Sequence, residues 1–174
     1  MQTGTKRKLT MYLFAAFALT LPAPSYHMTV FAVDGGLPHR SHVFAVFART
    51  DRGPAGDTVQ VVTISWMPGD GRIALDRSKP GRNYTLAETV QWARGIPTLQ
   101  WGPYPITAEL YLRAVTQARR LESGQVRYKA LDRQLRPRAC NCIHAVSDLG
   151  GPLDTGAAFG FRAAEKVVKH LGIK

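Results

Sequence analysis

Two residues of this chain, Cys142 and His42, have the types that thiol chemistry requires. A cysteine attacks a carbonyl as its thiolate, and a helix N-terminus or a nearby imidazole lowers the pKa of the thiol. Asn141 is a favoured N-cap residue, so a helix is predicted to begin at Cys142. His42 opens a predicted strand after the irregular segment 35–41. We therefore predict Cys142 as the nucleophile and His42 as its general base.

His39, three residues before His42, is the substitute base. His144 is expected to pack against the helix that carries the cysteine, or to hydrogen-bond it.

A run of predicted strands precedes most of the predicted helices. Residues rich in β-branched and aromatic side chains alternate with turn residues, which predicts strands at 27–33, 42–50 and 58–67 and a short fourth strand at 72–75. The turns between them are short. Short turns join neighbouring antiparallel strands, so these strands should form an antiparallel meander.

The second half of the chain carries the helical signals. Helices are predicted from the capping box at Thr85 to Gly95, from Thr107 to Gly124, at Cys142, and from about Gly156 to Leu171. Residues 96–105 contain three prolines and are predicted as a loop. Trp101 and Tyr104 on this loop, together with Trp92, could line a substrate groove or serve core packing. A sheet followed by helices indicates an α+β domain.

The N-terminus has the organisation of a secretory signal. Basic residues at 6–8 precede the uncharged stretch 9–21, which is too short to span a bilayer. Small residues at 23–25 then precede Tyr26, the predicted first residue of the mature chain. We expect a signal peptide at 1–25, a single domain at 26–174, and a location outside the cytoplasm. An uncleaved membrane anchor is the alternative.

The charge of the chain predicts anionic partners. The full chain carries a formal net charge of +11, and cleavage after residue 25 removes three basic and no acidic residues, which leaves +8. Such a protein is attracted to lipid headgroups or to acidic wall polymers. No nucleic-acid motif is present, so specific nucleic-acid binding is not expected. No cofactor motif is present either, and we expect no cofactor.

The cysteine pair allows other interpretations. A disulfide between Cys140 and Cys142 would close almost no loop and strain the backbone, so it explains the pair poorly. With His144 the two cysteines form a Cys-x-Cys-x-His pattern of metal-ligand types. Zinc sites usually space paired cysteines more widely, and no fourth ligand is evident. A binding module without catalytic activity is the remaining alternative.

Several motifs of the chain resemble those of one enzyme superfamily. The segment 42–47 (HVFAVF) is similar to its histidine strand, and 141–146 (NCIHAV) is similar to its late cysteine motif. Between them, 118–121 (ARRL), Gly124 and Tyr128 resemble the lead-in to the cysteine helix. Over roughly residues 39–150 the order of elements resembles the circularly permuted papain-like (NlpC-like) superfamily, which includes the lecithin retinol acyltransferase-like enzymes.

This resemblance implies a papain-like α+β fold and a thiol hydrolase or acyltransferase. Cys142 would attack the carbonyl of an amide or ester, and His42 would take and later return the proton. Backbone N–H groups at the start of the cysteine helix would bind the oxyanion. Members of the superfamily carry a third polar residue on the strand after the histidine strand, and at that place this chain offers the hydroxyls of Thr63 and Ser65. The resemblance therefore implies that Thr63 and Ser65 belong to the catalytic site, where a hydroxyl can accept the N–H of the His42 ring. The implied substrate is a peptide, such as a cell-wall stem peptide, or a lipid acyl group.

Overall fold

The computed structural model of the chain describes residues 22–75, 77–131, 139–156 and 158–173 and shows an α+β architecture. The predicted signal segment lies almost wholly outside these residues. The strands are β1 Ser25–Asp34, β2 Ser41–Gly53, β3 Gly56–Ile64, β4 Trp66–Pro68, β5 Lys79–Asn83, β6 Thr98–Pro105, β7 Arg127–Tyr128 and β8 Ala139–Cys140. The α-helices are α1 Leu86–Trp92, α2 Ala108–Glu122, α3 Cys142–Ser147 and α4 Gly160–His170.

The larger sheet is antiparallel, with the strand order β3-β2-β1-β6. The predicted strands at 27–33 and 42–50 are its two central members, β1 and β2. Val30 lies opposite Ala45 across the β1–β2 pair, and both are fully buried. Successive side chains of a strand point to opposite faces. The sheet therefore needs a cover on both faces, and helices supply it.

The fourth strand of this sheet, β6, occupies the segment that was predicted as a loop, so that prediction is wrong. The prolines at 97, 103 and 105 suggested irregular chain, but β6 is an edge strand that pairs only with β1 in the described residues. Proline is tolerated at a sheet edge, where the outward N–H has no partner to lose. Trp101 on this strand packs near Phe161 of α4, with ring centroids 6.4 Å apart.

A second small sheet, ordered β4-β5-β7-β8, begins where the predicted strand 58–67 is interrupted. The interruption is at Ser65, whose N–H donates to the side chain of Asn83 at 2.9 Å instead of to a neighbouring strand. The predicted strand at 72–75 is not observed, and β5 begins only at Lys79. The indole of Trp66 donates to the carbonyl of Cys140 at 3.2 Å, which fixes β8.

The two faces of the larger sheet carry different helices. Val43, Ala45 and Phe47 of β2 belong to the main core, which they share with α2, α3 and α4. Phe44 faces the other way and belongs to a smaller cluster with Val33, Ala93 and the partly buried Phe31, Trp92 and Ile96. Trp92 ends α1, so α1 lies on the face opposite to α3. A shift of one residue along β2 thus decides which layer a side chain enters.

The predicted helix starts are confirmed for α1, α2 and α3. Thr85 and Glu88 form a complete capping box, and the hydroxyl of Thr107 accepts the N–H of Leu110. The last helix begins at Gly160, later than the predicted position 156. None of the helices in the described ranges is long and apolar enough to cross a membrane.

Candidate functional site

Cys142 is the first residue of α3, as the sequence predicts. The side-chain oxygen of Asn141 accepts the N–H of His144 at 2.8 Å, which caps the helix. The amide nitrogen of Asn141 donates to the carbonyl of Ala130 at 3.3 Å, which ties the cap to the chain after β7. The thiol is therefore held at a fixed place between the small sheet and the helix.

The thiol of Cys142 is buried, and its electrostatic state differs from the predicted one. Burial raises its pKa, because the interior disfavours the charged thiolate. Hydrogen bonds from the backbone N–H groups of Val43, Cys142 and Ile143 and from the side chain of Tyr128 lower the pKa by less. The resting thiol is protonated, and the predicted thiolate is not the resting state.

His42 lies at the end of a polar chain that also contains Ser65 and Thr89. Its Nε2 is 2.9 Å from the hydroxyl oxygen of Ser65, and the hydroxyl of Thr89 on α1 lies 2.7 Å from that same oxygen. The structure thus brings together His42 and one of its two predicted orienting residues. Thr63 is not among the bonded neighbours of the ring, and its carbonyl accepts from Asn83 at 2.9 Å.

The ring of His42 is enclosed by aromatic groups. It stacks on Phe44 at 5.6 Å and meets the edge of Trp92 at 5.7 Å. Burial lowers the pKa of His42 to about 3, so the imidazole is neutral at physiological pH. Its Nδ1 is buried and has no hydrogen-bond partner among the residues that the structure describes.

Within the described residues the structure shows no hydrogen bond between His42 and Cys142, although both residues line the same cavity. The ring of His42 lies on the α1 face of the sheet with Phe44, whereas Cys142 belongs to the core cluster of the other face with Val43. Ser65 occupies Nε2, and Nδ1 is unpartnered, so neither nitrogen bonds the sulfur. The sulfur of Cys142 lies near the backbone of Val43, the residue that follows His42.

A cavity of about 840 Å³ opens beside Cys142. Most of its lining side chains are apolar: Pro38, Val43, Leu75, Tyr128, Ala130, Leu131, Ile143, Pro152, Leu153, Ala158 and Phe159. The polar lining groups include Asn141, Cys142, His144 and Asp154, and His42 also contributes to the wall. A cavity with a mainly apolar lining and several polar groups is typical of a small-molecule site.

The remaining predicted residues lie elsewhere. His39 is exposed in the short 3-10 helix Pro38–Arg40. Trp92 donates its indole N–H to the carbonyl of Gly71 at 3.1 Å, and Trp101 and Tyr104 pack against the main core. None of the three aromatic residues lines the cavity. Their packing role therefore explains them better than a substrate groove does.

The Cys-x-Cys-x-His pattern is not assembled into a metal site. Cys140 and Cys142 are both buried and free of disulfide bonds. Cys140 ends β8, while Cys142 and His144 belong to α3. Within the part of the chain that the structure describes, no group of three or more histidine, cysteine, aspartate or glutamate residues could hold a metal ion.

Sequence reasoning missed two important neighbours of the thiol, Val43 and Tyr128. Val43 carries no signal of its own, because it acts through its backbone. Tyr128 was a motif position of the resemblance, but nothing in the sequence placed its phenol at the sulfur. Comparison of the chain with models of protein families, with curated proteins and with solved structures finds no match.

Proposed function

We propose that this α+β domain binds a small apolar ligand of the lipid acyl class at the start of α3. We also propose that its arrangement is papain-like. The observation that carries the proposal is the cavity of about 840 Å³ beside Cys142. Its volume lies within the range that small-molecule sites occupy. This is the interpretation of a binding module, and it needs no activated thiol.

The chemistry of the lining favours an acyl chain over a peptide. An extended peptide needs partners for the N–H and C=O group of every residue, and burying such groups unpaired is costly. Eleven of the lining residues are apolar, and they suit a hydrocarbon chain. Asn141 and His144 at the helix start supply polar groups for the head of the ligand.

The test is a fluorescence titration of the purified chain with a polyene fatty acid such as cis-parinaric acid. Ala130→Phe places a ring into the cavity and should weaken binding by about tenfold or more. Ala87→Phe makes the same change on the exposed surface of α1 and should leave the affinity unchanged. Thermal unfolding of both variants shows that they fold. Absence of saturable binding in the wild-type chain would disprove the proposal.

A thiol hydrolase or acyltransferase is the second candidate function. The observation in its favour is the position of Cys142, which is the first residue of α3, lines the cavity and has the backbone N–H groups of Val43 and Ile143 near its sulfur. Such donors stabilise a thiolate or an oxyanion. In the reaction the thiolate would form a C–S bond to the carbonyl, and the ester oxygen or amide nitrogen would leave with a proton. Water or another acceptor would then release the acyl group.

This second candidate is tested by the acyl-enzyme itself. The chain is incubated with a p-nitrophenyl acyl ester, and the intact protein is weighed by mass spectrometry. An acyl adduct that is lost in Cys142→Ser and kept in Cys140→Ser would support thiol catalysis. If His42 acts as base after a rearrangement, His42→Gln should also abolish the adduct, whereas His39→Gln should retain it. A wild-type chain without any adduct leaves only the binding function.

We also propose that the chain is exported and processed before Tyr26. The proposal is supported by the basic residues at 6–8, the apolar stretch 9–21 and the small residues at 23–25. N-terminal sequencing of the protein recovered from outside the cytoplasm tests it. Recovery with Met1 intact would contradict cleavage.

A further inference from the structure

We propose that the rim of the cavity beside Cys142 is a docking surface for an anionic lipid bilayer. This inference rests on the proposed function, because it names the source from which an acyl ligand reaches the cavity. Two kinds of side chain at the rim support it, exposed leucines and basic residues.

The apolar part of the rim consists of Leu37 and Leu131. Leu131 lines the cavity and is nevertheless 60 % exposed. Leu37 is 50 % exposed and directly precedes Pro38, another lining residue. Exposed apolar side chains that are grouped at a cavity, rather than scattered, mark an interaction surface. Leucines of this kind enter the boundary between headgroups and acyl chains.

The charged part of the rim is predominantly basic. Arg40 lies two residues after Pro38, Arg77 lies two residues after Leu75, and both are exposed. Lys129 directly precedes the lining residue Ala130. Two acidic groups lie there as well, because Asp154 lines the cavity and Asp34 accepts from the hydroxyl of the lining residue Ser41 at 3.3 Å. The three basic residues outnumber these two acids. Basic residues near a membrane surface are attracted to anionic headgroups.

A bilayer fits both parts of the rim, whereas a soluble polyanion fits only one. An acidic wall polymer would bind the basic residues but would leave Leu37 and Leu131 in water. A bilayer would accept these leucines among its acyl chains and the arginines among its phosphates. The cavity would then face the compartment in which acyl chains are concentrated.

The experiment measures co-sedimentation of the full chain with vesicles of phosphatidylcholine containing about one third phosphatidylglycerol. The variant Leu37→Gln/Leu131→Gln removes the apolar rim without changing the charge, and we expect binding to fall by about fivefold or more. The control Leu112→Gln alters a leucine of α2 that is 61 % exposed and lies outside this cavity, and it should bind like the wild type. The variant Arg40→Gln/Arg77→Gln should also bind less well.

Each outcome has a defined meaning. Loss of binding in both double variants, with the control unaffected, supports the proposal. Binding that depends on the arginines alone would indicate adsorption to any polyanion and would overturn it, as would a wild-type chain that does not sediment with the vesicles. Leu37 does not line the cavity, so Leu37→Gln should bind cis-parinaric acid in solution normally. That titration separates failure of the docking surface from failure of the ligand site.

Discussion

Replacement of His42 by leucine should make the fold less sensitive to acid. The imidazole is 1 % exposed, it lies between Phe44 and Trp92, and its Nδ1 has no partner. Protonation would place an unpaired charge inside this apolar layer. His42→Leu removes the group that titrates and removes the orphaned nitrogen, while the hydroxyl of Ser65 keeps its neighbour Thr89 at 2.7 Å.

The magnitude follows from the pKa of His42 in the two states. Burial holds it at about 3 in the folded chain, against 6.5 for an ordinary histidine. Because the folded pKa is depressed, the unfolded state binds the proton first. The contribution of neutral His42 to stability is fully present above the pKa of the unfolded state. It is lost as the pH falls from there toward the pKa of the folded state. Between about pH 8 and pH 4.5, the free energy of unfolding should fall by roughly 2–3 kcal/mol through this residue alone.

Urea denaturation of both proteins at the two pH values measures this effect. From the higher to the lower pH, the free energy of unfolding of the wild type should fall by roughly 2–3 kcal/mol more than that of His42→Leu. Carboxyl groups common to both proteins cancel in the comparison. His39→Leu, at an exposed histidine, should show the same loss as the wild type. Parallel losses in the wild type and His42→Leu would refute the idea that burial of His42 controls acid stability.

Three further predictions concern the site and its support. Asn141→Ala removes the cap of α3 and should lower the free energy of unfolding by about 1 kcal/mol, measured by urea denaturation. Gly81→Ala should lower the free energy of unfolding by about 1–3 kcal/mol in the same assay, because its new methyl group would meet the indole of Trp66. Gly69→Ala has room for a methyl group and should lower it less. Cys142 should react with iodoacetamide more slowly than a free thiol at neutral pH and faster as the pH rises above its raised pKa, and mass spectrometry should resolve its labelling from that of Cys140.

Local sequence signals predicted the parts of this fold that depend on neighbouring residues. The capping box at Thr85 and the caps at Thr107 and Asn141 need only a side chain and the first helical turn. The strands at 27–33 and 42–50 are similarly marked by their own composition. These features are present as predicted because they do not depend on contacts with residues far away in the sequence.

Features that depend on distant contacts were predicted less well. β6 forms because β1 offers it an open edge, which its prolines do not reveal. The strand predicted at 58–67 is divided because the side chain of Asn83 takes the N–H of Ser65. For the site, the residue types were read from local motifs, but the face on which His42 lies depends on the register of β2 against the helices. A single sequence does not contain that register in any local pattern.

The position of β1 in the larger sheet has a consequence for how the chain acquires its structure. β1, β2 and β3 are consecutive and can pair as soon as they are synthesised, because only short turns separate them. The other edge of β1 stays unpaired until β6 is synthesised, because β6 follows α1 in the chain. Until then a growing chain presents the unpaired backbone of an apolar strand, and such an edge recruits other strands. Truncation before Thr98 should therefore yield an aggregating product rather than a smaller folded one.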